Sequence, residues 1–122
     1  MLYKVLVCDD EPYILESVAY IVEKEGFEVI TAEDGEEGLN VARNEKPNLI
    51  FLDVMMPKMT GYEVCEALKK DTETSDIHVI MLTARGQDSD EERAEEVGAD
   101  EYMTKPFSPR KLKKRLRELL PK

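Results

Sequence analysis

An apolar run that ends on a single acid constrains this chain more than any other stretch. Leu49-Ile50-Phe51-Leu52 leads into Asp53, and Val54-Met55-Met56-Pro57 follows. Four consecutive apolar residues leave no alternation between a wet and a dry face. A short run of this kind, closed by a turn signal, reads as a strand buried on both sides. Such strands belong to parallel sheets with helices on both faces. The terminal carboxylate then lies at the carboxyl edge of the sheet, where open α/β sheets carry their chemistry. Asp53 is therefore the first candidate for a functional residue.

The rest of the chain repeats the same unit. Tyr3-Lys4-Val5-Leu6-Val7-Cys8 reads as a strand and stops at Asp9-Asp10-Glu11. Pro12 suits the first position of a helix whose apolar residues, Ile14, Leu15, Val18, Ile21 and Val22, recur at helical spacing before Gly26. Phe27 to Ala32 is a second strand. Asp34 and Glu37 then form a capping pair for a helix through Leu39, Val41 and Ala42 that ends before Pro47. After Asp53, Thr60-Gly61-Tyr62-Glu63 is a capping box for a helix carrying Val64, Cys65, Ala67 and Leu68. Ile77 to Leu82 is a fourth strand running into Thr83-Ala84. Ser89 with Glu92 predicts the next helix cap, and that helix offers little apolar material beyond Ala94 and Val97. So narrow a stripe predicts the least stable helix. Glu101 to Thr104 is a short fifth strand. Ser108 and Pro109 open a last helix packed through Leu112, Leu116, Leu119 and Leu120.

Five βα units with short connections predict an α/β fold of three layers, one parallel five-stranded sheet between helices. The 122 residues suffice for one domain, 1–122, with one core. Charged residues make up 36% of the chain, and the net charge of −10 argues against non-specific nucleic-acid binding. Cys8 and Cys65 lack CxxC spacing and read as reduced core residues of a cytoplasmic protein. No apolar run approaches the length of a membrane span.

Chemistry-bearing residues gather at the carboxyl ends of these strands. Asp9 and Asp10 follow the first, Asp53 ends the third, Thr83 follows the fourth and Lys105 follows the fifth. If the first and third strands are neighbours, three carboxylates converge. Like charges ~4 Å apart repel by roughly 4 kcal/mol at an effective dielectric of 20. Such a cluster must take up a proton, bind a cation or meet a lysine. Oxygen-only ligands suit a hard divalent ion, and Mg²⁺ accepts a phosphate as a further ligand. A carboxylate with Mg²⁺, a lysine and a hydroxyl around it can accept a phosphoryl group as an acyl phosphate. Taken singly, each residue has a plainer reading: Asp9-Asp10 as capping and solvated charge, Asp53 as a loop cap, Thr83 as a strand end, Lys105 as surface. His78 reads as an edge or partly buried residue rather than a ligand.

From Val5-Leu6-Val7-Cys8-Asp9-Asp10-Glu11 through Leu52-Asp53-Val54-Met55-Met56-Pro57 and Met81-Leu82-Thr83-Ala84 to Lys105-Pro106-Phe107, the chain resembles the receiver domains of bacterial two-component response regulators. The resemblance implies a flavodoxin-like fold with strand order 2-1-3-4-5, an order for which the standard example is itself a chemotaxis receiver. It implies Asp53 as phosphoacceptor, with Mg²⁺ held by Asp10, Asp53, the Met55 backbone carbonyl and, largely through water, Asp9. Thr83 would be the switch hydroxyl, Lys105 the phosphate partner, and Tyr102 the aromatic switch residue. Lys105-Pro106 would be cis, and the small Ala84 would leave the phosphoryl group accessible. Thr60 stands where many relatives carry Asp, and both residues cap helices. Met55 and Arg85 fill positions that the family varies to tune self-dephosphorylation.

The stretch Gly98 to Pro109 is similar to the branch whose receivers carry a winged-helix DNA-binding domain. That branch implies a phosphorylation-dependent homodimer through the fourth helix, fifth strand and fifth helix. Asp100, Glu101 and Arg115 fit its interface charges, while Glu91 and Lys111 invert the sign of one typical pair. The implied partner is a sensor histidine kinase or a phosphotransfer protein. Two other readings carry less. An aspartate-nucleophile phosphatase favours a second Asp two residues after the nucleophile, and Met55 cannot transfer protons. A flavin carrier needs a phosphate-binding loop after the first strand, where Asp9-Asp10-Glu11 would repel phosphate.

Overall fold

A computed structural model describes residues 3–83 and 88–121, with the side chains of residues 88–91 outside that description. Strands β1 (Lys4–Cys8), β2 (Glu28–Ala32), β3 (Leu49–Asp53), β4 (His78–Thr83) and β5 (Glu101–Thr104) alternate with helices α1 (Pro12–Lys24), α2 (Gly35–Glu45), α3 (Gly61–Lys70), α4 (Asp88–Glu96) and α5 (Pro109–Leu119). All strand pairs are parallel, in the expected order β2-β1-β3-β4-β5.

Local chemistry explains most boundaries. Pro12 and Pro109 occupy first-turn positions, and Gly26 takes a left-handed φ of 90° just past α1. Asp34 caps α2 by accepting the Glu37 amide at 2.8 Å. The Thr60 box is reciprocal: its hydroxyl accepts the Glu63 amide at 3.2 Å, and its own amide donates to the Glu63 carboxylate at 2.9 Å. Ser108 accepts the Lys111 amide at 3.4 Å.

Several boundaries differ from expectation: β1 opens at Lys4 rather than Tyr3, and β4 runs on through Thr83. Phe27 and Ile77 precede β2 and β4 rather than opening them, yet both are buried. Their apolarity serves the core from a turn. Helix α4 begins at Asp88, so Ser89 lies inside its first turn and is not the cap.

The sheet separates two apolar layers. Leu6, Cys8, Ile50, Leu52, Val79 and Met81 face α2, α3 and α4, while Val5, Val7, Leu49, Phe51, Ile80 and Leu82 face α1 and α5. Residues 49–52 are fully buried, as their uninterrupted apolarity requires. Among its described side chains, α4 gives the core only Ala94. Val97, just past its end, is also buried.

The register delivers the acids. Cys8 pairs with Leu52, which brings Asp9 and Asp53 side by side at the carboxyl edge. The loop after Asp53 returns tightly: the Gly61 amide donates to the Val54 carbonyl at 2.8 Å. A Cβ on Gly61 would sit 2.1 Å from the Asp53 carbonyl oxygen. Backbone cannot yield as a flexible side chain would, so Gly61→Ala is expected to cost about 1–3 kcal/mol. Urea unfolding checks this, and unchanged stability would show that the loop can move aside.

Candidate functional site

Asp9, Asp10 and Asp53 each place a carboxylate oxygen within 4.8 Å of the others. Asp9 is fully buried and Asp53 nearly so, at 6% exposure, whereas Asp10 is exposed. The cluster therefore opens to solvent on the Asp10 side. Asp9 Oδ1 accepts the Glu11 amide at 2.9 Å. Asp9 Oδ2 has no hydrogen bond, although Lys105 Nζ lies 2.8 Å away as an ion contact. Lys105 also donates to Asp53 Oδ1 at 3.1 Å and stands 3.7 Å from Glu11 Oε1. One ammonium thus spans three acids. The Glu11 contact was not foreseen; the signal available was its position directly after the Asp pair.

Electrostatics follow from this crowding. Burial pushes the Asp53 carboxyl up, the Asp9 charge pushes it further, and Lys105 opposes both, leaving it at about 6. Burial by itself would lower the Lys105 ammonium, but Asp9 and Asp53 together raise it above its ordinary value. At neutral pH Asp53 is mostly ionised and more basic than an ordinary aspartate.

Thr83 ends β4, is buried, and donates from its hydroxyl to the Met103 carbonyl at 3.4 Å. The Lys105 amide donates to the Thr83 carbonyl at 2.8 Å. The two residues are therefore tied to one another through the β4–β5 edge. The Lys105-Pro106 peptide is cis, as the resemblance implied. Ala84 and Arg85 lie outside the described residues. The Met55 side chain is exposed, at 72%.

Tyr102 lies away from the acids, at 40% exposure, between two shallow hollows of about 400 and 520 Å³. Glu101, Arg115 and Asp100 beside it are engaged within the chain. Arg115 donates to Glu101 from Nε and Nη2, and from Nη1 to Glu118 at 3.2 Å. His78 is half-buried, as expected, and meets Glu101 at 2.6 Å. Asp100 accepts from Lys69 at 2.9 Å and from the Val79 amide at 2.8 Å. The Glu91 side chain lies outside the described residues.

A 2-1-3-4-5 sheet with three acids and an opposing lysine at its carboxyl edge defines a small α/β domain with an acidic pocket at the sheet's edge. The sequence model of the response regulator receiver domain matches residues 5–117, and the chain belongs to that family. It is 48% identical over 117 residues to the alkaline phosphatase synthesis transcriptional regulatory protein PhoP of Bacillus subtilis, covering 96% of this chain and 48% of PhoP. A putative response regulator from Chloroflexus aurantiacus matches with a TM-score of 0.92 and 30% identity, covering both chains fully. DrrB, an OmpR/PhoB homologue from Thermotoga maritima, matches with a TM-score of 0.87 and 36% identity over 98% of this chain and 53% of its own. The chain spans about half the length of the curated relatives it matches. Receivers of this OmpR/PhoB type are signal switches of two-component systems, take phosphoryl groups from histidine kinases and bind Mg²⁺ at the acidic pocket. Among the described residues, no helix is long and apolar enough to cross a membrane.

The donor set fits that ion. It is all oxygen, three carboxylates converge there against the one ammonium of Lys105, and Asp10 leaves the cluster open to solvent.

The raised Asp53 pKa has a consequence for stability without metal. Between the ordinary value of 3.8 and about 6, the folded state holds a proton that the unfolded state releases. Stability therefore falls as pH rises through this window and stays reduced above it. Asp53→Asn removes the ionisation and keeps the shape. In EDTA at pH 7.5 it is expected to be more stable than wild type by about 1–2 kcal/mol, with the difference shrinking toward pH 4. Denaturant melts at several pH values check this, and a pH-independent difference would contradict it.

Proposed function

We propose that Asp53 is the phosphoacceptor of this receiver and that Thr83, Lys105 and Tyr102 relay its state to the α4–β5–α5 face. The observation that carries the reading is the Lys105 ammonium within 3.1 Å of both Asp9 and Asp53, beside the exposed Asp10. Asp9, Asp10, Asp53 and the Met55 backbone carbonyl would hold Mg²⁺. When bound, the ion offsets charge on the transferring phosphoryl oxygens.

An Asp53 carboxylate oxygen attacks the phosphorus of a phosphohistidine on a sensor kinase or phosphotransfer protein. The new O–P bond forms as the N–P bond breaks, and the imidazole nitrogen keeps the electron pair. Lys105 stays close to the acceptor oxygen and to the added charge, about −1.5 to −2 in other phosphoryl groups. The Thr83 hydroxyl turns from the Met103 carbonyl toward the phosphoryl oxygens. Water later hydrolyses the acyl phosphate at the same site, so the domain promotes its own phosphorylation and dephosphorylation without turning over a separate substrate.

Tyr102 and the hollows beside it make the α4–β5–α5 face the readout surface, through which a phosphorylation-dependent homodimer forms. Asp100, Glu101 and Arg115 would have to share their internal partners in that dimer.

Incubation with Mg²⁺ and acetyl phosphate is expected to add roughly 80 Da, the mass of one phosphoryl group. Asp53→Asn should abolish the gain and EDTA should suppress it. A gain of equal size in Asp53→Asn would overturn the assignment of the acceptor.

A further inference from the structure

The loop from Met55 to Thr60 carries the proposed Met55 ligand and is braced by an element outside the acidic cluster. Within it, the Met59 amide donates back to the Pro57 carbonyl at 2.8 Å, across Lys58 at φ 72°. This is a γ-turn of the rarer left-handed kind, which a lysine adopts only under strain.

The N-terminus of α2 supplies the brace. The Gly35 amide donates to the Pro57 carbonyl at 3.3 Å. A Cβ on Gly35 would lie 2.0 Å from the Met59 carbonyl oxygen, so the two backbones are in direct contact. Asp34 Oδ2 stands 3.6 Å from Lys58 Nζ. Behind them, the Cys8 thiol contacts the Asp34 carbonyl at 3.5 Å and Met56 Sδ at 3.4 Å. Cys8 directly precedes Asp9, so this packing joins β1, α2 and the loop on the inner side of the site.

We infer that Gly35 is a positioning residue: the α2 N-terminus holds the left-handed turn at Lys58, and the held turn aims the Met55 carbonyl at the cation site. The inference rests on the assignment of Met55 as a ligand. A strained turn persists only where its surroundings over-determine it. Gly35, without a Cβ, is the residue that permits the close approach, and Lys58 marks where the strain is stored. Partners that orient a metal ligand typically change affinity by about 10–100-fold when altered.

The test uses Mg²⁺ itself, titrated into the full chain by calorimetry, together with the Mg²⁺ dependence of acetyl-phosphate labelling and urea unfolding in EDTA. Lys58→Gly suits the left-handed φ, so stability in EDTA should hold or rise. Glycine keeps the turn that the α2 N-terminus holds, so its Mg²⁺ affinity should stay near wild type. Loss of the nearby positive charge alone would tighten the cation, and Lys58→Gln isolates that effect. Gly35→Ala, which pushes on the Met59 carbonyl, should weaken Mg²⁺ by roughly tenfold. In that variant the half-saturating Mg²⁺ for labelling should rise while the rate at saturating Mg²⁺ stays near wild type. Wild-type Mg²⁺ affinity in folded Gly35→Ala, or an equal loss in Lys58→Gly, would overturn the inference and leave the acceptor assignment standing. Wild type that neither binds Mg²⁺ nor labels would instead remove the reading on which it rests.

Discussion

The site depends on one ammonium held among buried carboxylates. Asp9 is wholly enclosed and Asp53 nearly so, and an uncompensated buried charge costs several kcal/mol. Lys105 meets both, which makes their closeness tolerable. The lysine follows β5, two strands away from β3, and its amide is fixed to the Thr83 carbonyl at the end of β4. Sheet order, strand register and this one bond are all needed to bring the charges together. The two apolar layers and their helices give the edge its rigidity, because close-packed cores resist small displacements.

How much of this was legible in the sequence differs by level. The strand ending at Asp53 was readable because a doubly buried strand leaves an unbroken apolar run. The Thr60 and Asp34 caps were readable because a few short polar side chains can satisfy free helix amides. Ser89 misled because α4 has too narrow an apolar stripe to mark its own start, and Asp88, Ser89 and Asp90 are all residues that cap. Phe27 and Ile77 misled because burial and strand membership are separable. Candidate site residues could be named from strand ends, since topology alone brings those ends together. The Glu101–Arg115–His78 group, the left-handed φ of Lys58 and the contact of Gly35 with Met59 carry no periodic signature. They are set by the side-by-side placement of distant segments.

The path away from the acids is short. Thr83 touches the Met103 carbonyl, and Lys105, directly after β5, is bonded to Thr83, so both proposed sensors of the edge are tied to β5. Tyr102 is the neighbour of Met103 and lines the hollows on either side. Helix α4 lies against this strand with little apolar anchoring among its described side chains. An element so lightly held can shift at low cost, whereas α5, anchored through Leu112 and Leu116 with Leu120 just beyond, cannot do so as easily.

With Asp53 as the proposed phosphoacceptor, the same geometry ranks which group would gain from a phosphoryl there. A conformational equilibrium moves only by the difference in interaction between its two states, and a full reversal from 1:99 to 99:1 takes about 5.5 kcal/mol. Lys105 is already paired with Asp9 and Asp53, so on phosphorylation it exchanges one anion for another and gains only the excess charge. Thr83 is differently placed. Its hydroxyl sits at 3.4 Å from a neutral carbonyl, a long and weak bond. A bond to an anionic oxygen is roughly twice as strong as a neutral one. In the proposed switch the differential would lie more with Thr83 than with Lys105, and its departure would free the Met103 carbonyl of β5. The direction proposed for the signal, toward β5 and Tyr102, would then follow from which bond is weakest before the phosphoryl group arrives.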